Sequence, residues 1–269
     1  MYLGSAAVLT GMYTWKIEPF WLEFVNLKMP IKNLPKELVG KKLMQISDMH
    51  VGDRSNTKYL IESLKKAQEL NPDFVVYTGD YVSYYNSNQL STLKKVMAHA
   101  TKGSIGTFGI LGNHDYGENW AQENAANGIC KALQYAGITM LRNQQRKIAG
   151  LNIVGLDDLW GPFFNPREIM PNVNMQAANL VLCHNPDALD LDVWNGYDGW
   201  VLSGHTHGGQ CKPPFLPPPL LPVKNRKYTA GIFDFPDGRT LYINRALGYL
   251  WQVRFNVRPE ITVFELVEA

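Results

Sequence analysis

The chain has 269 residues, 45% of them apolar and 19% charged, which excludes disordered and fibrous classes and leaves ample material for a core. Lys and Arg number 26 against 24 Asp and Glu, a net charge of +2, so no strong field favours nucleic acid as a partner. Cys130, Cys183 and Cys211 are too few and too scattered for a disulfide framework or a thiolate zinc site.

Residues 1–15 carry no charge, and Lys16 is the first charged residue. About twenty apolar residues are needed to span a bilayer, so this stretch is too short alone, and it lacks the basic leading region of a secretory signal. It reads either as the trailing part of a membrane anchor or as an apolar arm packed on the domain. Ile17, Phe20, Trp21, Phe24 and Val25 continue it as a mildly amphipathic segment suited to a membrane interface. Residues 1–41 are therefore expected to be a lead-in, and residues 42–269 one domain without repeats or linkers.

From Lys42 onward an apolar run, a polar cluster and a helical stretch recur. Leu43–Ser47 reads as a strand, followed by Asp48-Met49-His50. Leu60, Ile61, Leu64, Ala67 and Leu70 recur at helical spacing over residues 57–70, and Asn71-Pro72 ends that helix. Phe74–Thr78 is a second strand ending at Gly79-Asp80. A helix over Leu90–Ala100 and a third strand over Phe108–Leu111 follow, the strand ending at Gly112-Asn113-His114-Asp115. Another helix covers about Ala121 to Tyr135. Arg146–Gly150 and Leu151–Leu156 resemble a hairpin. Leu180–Cys183 leads into His184, and Trp200–Ser203 into Gly204-His205-Thr206-His207. Gly231–Phe235 and Thr240–Asn244 flank the turn signal Pro236-Asp237-Gly238-Arg239, and Glu260–Leu266 is the last strand. Helices among early strands and hairpins among late ones indicate an α/β fold built on mixed sheets. Six prolines between Pro213 and Pro222 forbid a helix or central strand there. That stretch, with Phe215, Leu216, Leu220 and Leu221, is either a rigid loop packed on the core or an apolar lip beside the site.

Asp48, Asp80, Asn113, His184 and His205 each follow a strand-like run directly. Ligands of α/β sheets gather outside the carboxyl ends of strands, so these clusters converge on one rim if the strands are neighbours. With His50 and His207 they make an oxygen-and-imidazole set without thiolate, which suits manganese, iron or zinc better than calcium. Seven side chains exceed the needs of one tetrahedral ion. They suit two ions with a bridging carboxylate, an arrangement that activates water and clamps the oxygens of a phosphate ester in line.

Asp48-Met49-His50, Gly79-Asp80, Gly112-Asn113-His114-Asp115, His184 and Gly204-His205-Thr206-His207 resemble, in order, the signature of the calcineurin-like metallophosphoesterases. The likeness spans roughly residues 42–268. It implies a four-layer α/β/β/α sandwich, with Asp48, His50, Asp80 and His207 holding one divalent ion. Asp80, Asn113, His184 and His205 would hold the other, Asp80 bridging. It also implies that His114 is no ligand but contacts the phosphate and helps protonate the leaving oxygen, while metal-bound hydroxide attacks a phosphodiester or pyrophosphate. Gly155-Leu156-Asp157-Asp158-Leu159-Trp160, Arg254-Phe255-Asn256, Pro259-Glu260-Ile261-Thr262 and Glu18-Pro19-Phe20-Trp21-Leu22-Glu23 are similar to a bacterial subgroup. That subgroup includes membrane-linked phosphodiesterases and enzymes cleaving UDP-2,3-diacylglucosamine in lipid A synthesis. It implies a lipid-linked substrate and the inner membrane as location. Small soluble esters, a cytoplasmic location and a non-catalytic metal-binding scaffold are the alternatives.

Phosphoprotein phosphatases of the family carry an aspartate and then an arginine where this chain has Ser83 and Tyr84. The usual carboxylate partner of His114 is thus absent, and Asp115 is the candidate in its place. Arg54 and Asn56 either contact phosphate or cap the following helix. Arg245 and the run Lys224–Lys227 are either anion contacts or solvated basic positions. Asp157-Asp158 is either a turn or an approach to the metals. His99 and Cys183 are expected to be without a role in the chemistry.

Overall fold

The computed structural model describes residues 8–269. Among them, two six-stranded mixed sheets pack face to face. The first contains β1 (Glu23–Ile31), β2 (Lys42–Ile46), β3 (Phe74–Thr78), β4 (Gly106–Ile110), β5 (Thr139–Met140) and β12 (Glu260–Glu268), in the order β1-β12-β2-β3-β4-β5. The second contains β6 (Gln144–Ile148), β7 (Leu151–Gly155), β8 (Ala178–Leu182), β9 (Trp200–Ser203), β10 (Gly231–Asp234) and β11 (Thr240–Ile243), in the order β10-β11-β9-β8-β7-β6.

The period-2 alternation of strand side chains makes three cores. Leu43, Phe74, Val76, Phe108 and Ile110 of the first sheet meet Leu151, Ile153, Leu180, Leu182 and Leu202 of the second. Their alternates Met44, Ile46, Val75 and Tyr77 face outward onto α1 (Thr57–Glu69), α2 (Ser87–Met97) and α3 (Glu123–Tyr135), through Leu60, Leu64, Leu93, Val96, Ile129 and Leu133. Val154, Val181, Val201 and Ile243 are covered instead by Ile169, Met170, Leu189 and Trp194. Those residues lie in or beside short helical turns, of which α4 (Pro166–Ile169) is one. The four-layer arrangement is present, and its outer layer on the second sheet is built of turns rather than long helices.

The lead-in departs from expectation. Residues 23–31 form an edge strand of the first sheet, paired in parallel with β12 from Glu23↔Glu260 to Ile31↔Glu268. Phe24 and Val25 of the amphipathic continuation therefore belong to the sheet. Residues 1–7 of the charge-free leader lie outside the described residues. Residues 8–12 are helical and continue into Tyr13–Ile17 and Glu18–Phe20. From Thr14 onward this arm is tied down: Arg254 N–H donates to the Thr14 carbonyl (3.0 Å), Gln252 to the Trp15 carbonyl (2.9 Å), and Val257 N–H to the buried Glu18 carboxylate (2.6 Å). No helix of the described residues is long and apolar enough to cross a membrane.

Arg254 organises the segment between β11 and β12. Its fully buried guanidinium donates to the carbonyls of Arg245, Ala246, Gly248 and Val257 at 2.8–3.2 Å. Burial pulls its pKa down to about 10. The segment in turn donates to the first site loop, from Leu247 N–H to Ser47 and from Gly248 N–H to Asp48, both at 2.9 Å. Arg254→Met relieves the burial of a charge but leaves buried carbonyls without donors. We expect about 3 kcal/mol of lost stability in urea unfolding; a change under about 0.5 kcal/mol would show that the carbonyls find other partners.

Candidate metal centre

β2, β3 and β4 are parallel neighbours, as are β7, β8 and β9. Their carboxyl ends therefore meet on one rim. Asp48 follows β2, Asp80 follows β3 and Asn113 follows β4, while His184 follows β8 and His205 and His207 follow β9. Asp48, His50, Asp80, His205 and His207 all have φ between +47° and +69°. Non-glycine residues rarely adopt that conformation, and where they cluster in it the strain marks a functional site. Two glycines make the approach possible. A Cβ on Gly112 would collide with the Asp80 carboxylate, and one on Gly204 with the Asp48 carboxylate and the Ser47 hydroxyl.

The donor atoms converge. His50 Nε2 and His207 Nε2 lie 2.9 Å apart, and His207 Nε2 is 3.2 Å from Asp48 Oδ1. Asp80 Oδ2 is 3.5 Å from His50 Nε2 and 3.3 Å from His184 Nε2. His205 Nδ1 is 3.3 Å from His184 Nε2. Asp48, His50 and His207 form one set able to hold an ion, and Asp80, His184 and His205 another. Asp80 Oδ2 faces both, while its Oδ1 accepts the His114 N–H at 2.9 Å. Asn113 Oδ1 is buried with no hydrogen-bond partner.

Backbone carbonyls fix the imidazole tautomers. The Nδ1–H of His184 donates to Thr78 (2.7 Å), and the Nε2–H of His205 donates to Pro222 (2.8 Å). A carbonyl can only accept, so the remaining nitrogen of each ring turns its lone pair to the centre, as outer-shell partners do for metal-bound histidines. Burial favours the neutral form of His50, well below the ordinary imidazole value, and with the His184 charge nearby brings His205 down to about 3. For Asp48 and Asp80 burial works upward, but the facing imidazoles outweigh it: His207 and His184 hold Asp48 at about 2, and His184 and His114 hold Asp80 well below its ordinary value. Ionised Asp48 and Asp80, neutral His50 and His205 and an orphaned amide oxygen, all buried, match what two divalent cations require. The Asp80 and Asp48 carboxylates outweigh burial and raise His184 well above its ordinary value, so that a cation there would displace its proton. The residues fit that pair.

His114 lies beside this set, its ring edge-on to His50 with centroids 4.9 Å apart. Asp115 does not orient it. The Asp115 carboxylate is buried under the loop, accepting the N–H groups of Tyr81 (2.9 Å), Val82 (3.3 Å) and Gly112 (2.9 Å). Instead the Nδ1–H of His114 donates to the backbone carbonyl of Ser83 at 2.7 Å. The position that carries an aspartate in the phosphoprotein phosphatases thus supplies a main-chain oxygen here.

Each of the three substrate-contact candidates has a partner within the chain. Asn56 is a helix cap, its side chain accepting from Tyr59 N–H at 3.0 Å. Arg54 stacks its guanidinium 3.8 Å from the Trp251 ring centroid. Arg245 is held by carboxylates, pairing with Glu260 and, at 2.8 Å, with Glu23. Asp157 accepts from Tyr116 and Arg142, and Asp158 accepts the Trp160 N–H at 2.8 Å, with burial raising its carboxyl to about 6. Of the run Lys224–Lys227, Arg226 braces the proline stretch through the carbonyls of Pro218 and Pro219. His99 is exposed and Cys183 is a buried free thiol.

A cleft of about 580 Å³ opens over the centre. His50, Asp80, Asn113, His114, His205 and His207 form its floor, and Leu220, Leu221 and Pro222 of the proline stretch form one wall. The stretch is therefore a lip of the site. Trp120, Trp160 and Trp251 also line the cleft, three residues that sequence reasoning did not assign to it. Among the described residues, no Lys or Arg lines it.

Known proteins bear on the same residues. A family model described as calcineurin-like phosphoesterase matches residues 41–209. Phosphodiesterase YaeI of Escherichia coli is 31% identical over 95% of this chain and 92% of its own length. The UDP-2,3-diacylglucosamine pyrophosphatase LpxG of Chlamydia trachomatis is 28% identical over 96% of this chain and 93% of its own. Among solved structures, Haemophilus influenzae NAD nucleotidase matches 78% of this chain and 45% of its own, with a TM-score of 0.51 at 15% identity. That likeness concerns the fold alone.

Proposed function

The chain belongs to the calcineurin-like phosphoesterase family, a metal-dependent phosphoric ester hydrolase by that membership, and we propose that it cleaves a phosphodiester or pyrophosphate whose substituent is a lipid. UDP-2,3-diacylglucosamine, the compound named for the chlamydial relatives, is the substrate we assign. The observation that carries this reading is the cleft: a floor of carboxylates and imidazoles enclosed by Leu220, Leu221, Leu250, Trp251 and Val253, with no cationic side chain. Such walls accept acyl chains.

In this reading Asp48, His50, Asp80 and His207 hold one cation, and Asp80, Asn113, His184 and His205 the second. Bound there, two divalent ions would lower the pKa of water and offset charge on the phosphoryl oxygens. The chain's own residues do the rest. Thr78 and Pro222 keep His184 and His205 in the tautomers that present lone pairs. With Nδ1–H committed to Ser83, His114 has only Nε2 free to hand a proton to the departing oxygen.

The location we propose is a membrane surface. Phe215, Leu216, Leu220 and Trp251 are exposed around the cleft mouth, and Trp15 and Ile17 of the adjoining arm are exposed as well. Exposed apolar patches of this kind on a soluble domain mark interaction sites, and Trp is favoured at bilayer interfaces. The double variant Phe215→Asp, Leu220→Asp should lose at least about tenfold in partitioning to anionic lipid vesicles, read by sedimentation, since each buried side chain of this size contributes about 1.5–3 kcal/mol. Unchanged partitioning would remove the face from the account. The substrate is tested by offering the manganese-loaded chain UDP-2,3-diacylglucosamine and bis(4-nitrophenyl) phosphate, with products identified by mass spectrometry. Lipid monophosphate and UMP are expected; turnover of the soluble diester alone would replace the lipid assignment with a general phosphodiesterase.

A further inference from the structure

The cleft has two unlike walls. The lip is aliphatic, whereas Trp120 and Trp160 present planar indoles stacked with centroids 4.7 Å apart and 28° between planes. They come from different sheets: Trp120 lies in the loop after β4 and Trp160 in the loop after β7. Trp160 stands edge-on to His205, ring centroids 4.5 Å apart, so the pair begins at the metal-ligand floor. Its backbone N–H is fixed by the buried Asp158. Trp120 is held at φ +55° beside Asn119 at +52°, a conformation unfavourable for bulky residues that persists only where the surroundings impose it. At 37% exposure Trp120 keeps an open surface at the cleft. A hydrophobic wall for alkyl chains requires neither parallel rings nor a strained backbone to aim one of them.

We propose that the Trp120–Trp160 pair is a stacking platform for a planar ring carried by the substrate, a nucleobase joined through phosphate to the group that lies along the lip. This rests on the phosphoester reading of the floor, and it adds which part of the substrate goes to which wall. Stacking of a base on an aromatic side chain changes affinity by about 5- to 150-fold.

The probes are the hydrolysis-resistant α,β-methylene analogues of ADP and of ribose 5-diphosphate, which differ only by the base, and dodecyl methylenediphosphonate. Each is titrated calorimetrically into the manganese-loaded full chain. The ADP analogue should bind at least about tenfold more tightly than its base-free counterpart, and Trp120→Ala should erase that ratio while Trp120→Phe, still planar, keeps most of it. Equal affinity of the two ribose ligands for the wild-type chain overturns the platform, and so does a loss in Trp120→Phe as large as in Trp120→Ala. A loss in Trp120→Ala that is as large for the dodecyl ligand makes the pair a general apolar wall and also overturns it. Failure of the phosphoester reading registers separately, as absence of turnover of bis(4-nitrophenyl) phosphate, because the base-dependent ratio needs no catalysis.

Discussion

Replacing His114 with alanine is expected to lower turnover by about 10²–10⁴-fold, the range typical of a lost general acid, while metal content stays near that of the wild type. The division between the two readouts matters because His114 lies close enough to His50 and Asp80 to complete a third set of potential ligands. Geometry argues for the proton-transfer role. The Nδ1–H is spent on the Ser83 carbonyl, a bond that holds the ring edge-on to His50. Metal analysis of His114→Ala after gel filtration, run beside steady-state assays, separates the cases. Loss of an ion would turn His114 into a ligand, and unchanged turnover would leave it without a part in the reaction.

The second large effect is expected at Asp80. Its two oxygens do different things: Oδ1 holds the loop that carries His114, and Oδ2 faces both halves of the centre. Asp80→Asn preserves shape and removes the shared charge. Metal affinity should fall by more than the about 10- to 100-fold that loss of an outer-shell partner causes, and turnover should drop to background. Thermal unfolding gives an independent readout. Ions held at about a thousand times their dissociation constant add about 4 kcal/mol to wild-type stability, so chelation should lower the wild-type midpoint clearly and the Asp80→Asn midpoint hardly at all. An Asp80→Asn chain that retains two ions per molecule would show that the carboxylate does not bridge.

Much of this arrangement was written in the sequence because each polar cluster directly follows an apolar run. Strand ends are where an α/β sheet exposes side chains together, so Asp48, Asp80, Asn113, His184 and His205 could be brought to one rim before any coordinates. What could not be read has physical causes. β1 escaped because Ile17, Phe20, Trp21, Phe24 and Val25 read as a continuation of the apolar leader, although Asn26 to Ile31 alternates exposed and covered positions as a strand does. Pro30 also argues against a strand unless it lies at an edge, which is where β1 lies. The partners of His114, His184 and His205 are main-chain oxygens of Ser83, Thr78 and Pro222, and a carbonyl leaves no trace in residue identity. Asn56 and Arg245 looked available for phosphate because their partners, a helix N–H and carboxylates from two distant strands, are set by packing. Trp160 had a signal in the block after Asp158. Trp120 had none.

The parallel pairing of β1 with β12 carries a practical consequence. Because β12 runs antiparallel to β2, its first residues, and with them the start of β1, lie at the end of the sheet where Asp48 sits, while Ala269 leaves from the opposite end. The arm that enters β1 therefore meets the sheet on the side of the metal centre, whereas the end of β12 leaves on the side remote from it. A fluorescent label at Ala269 should leave turnover unchanged, whereas one on the exposed Trp15 position of the arm, bonded to the segment that carries Trp251, would report how crowded the entrance is.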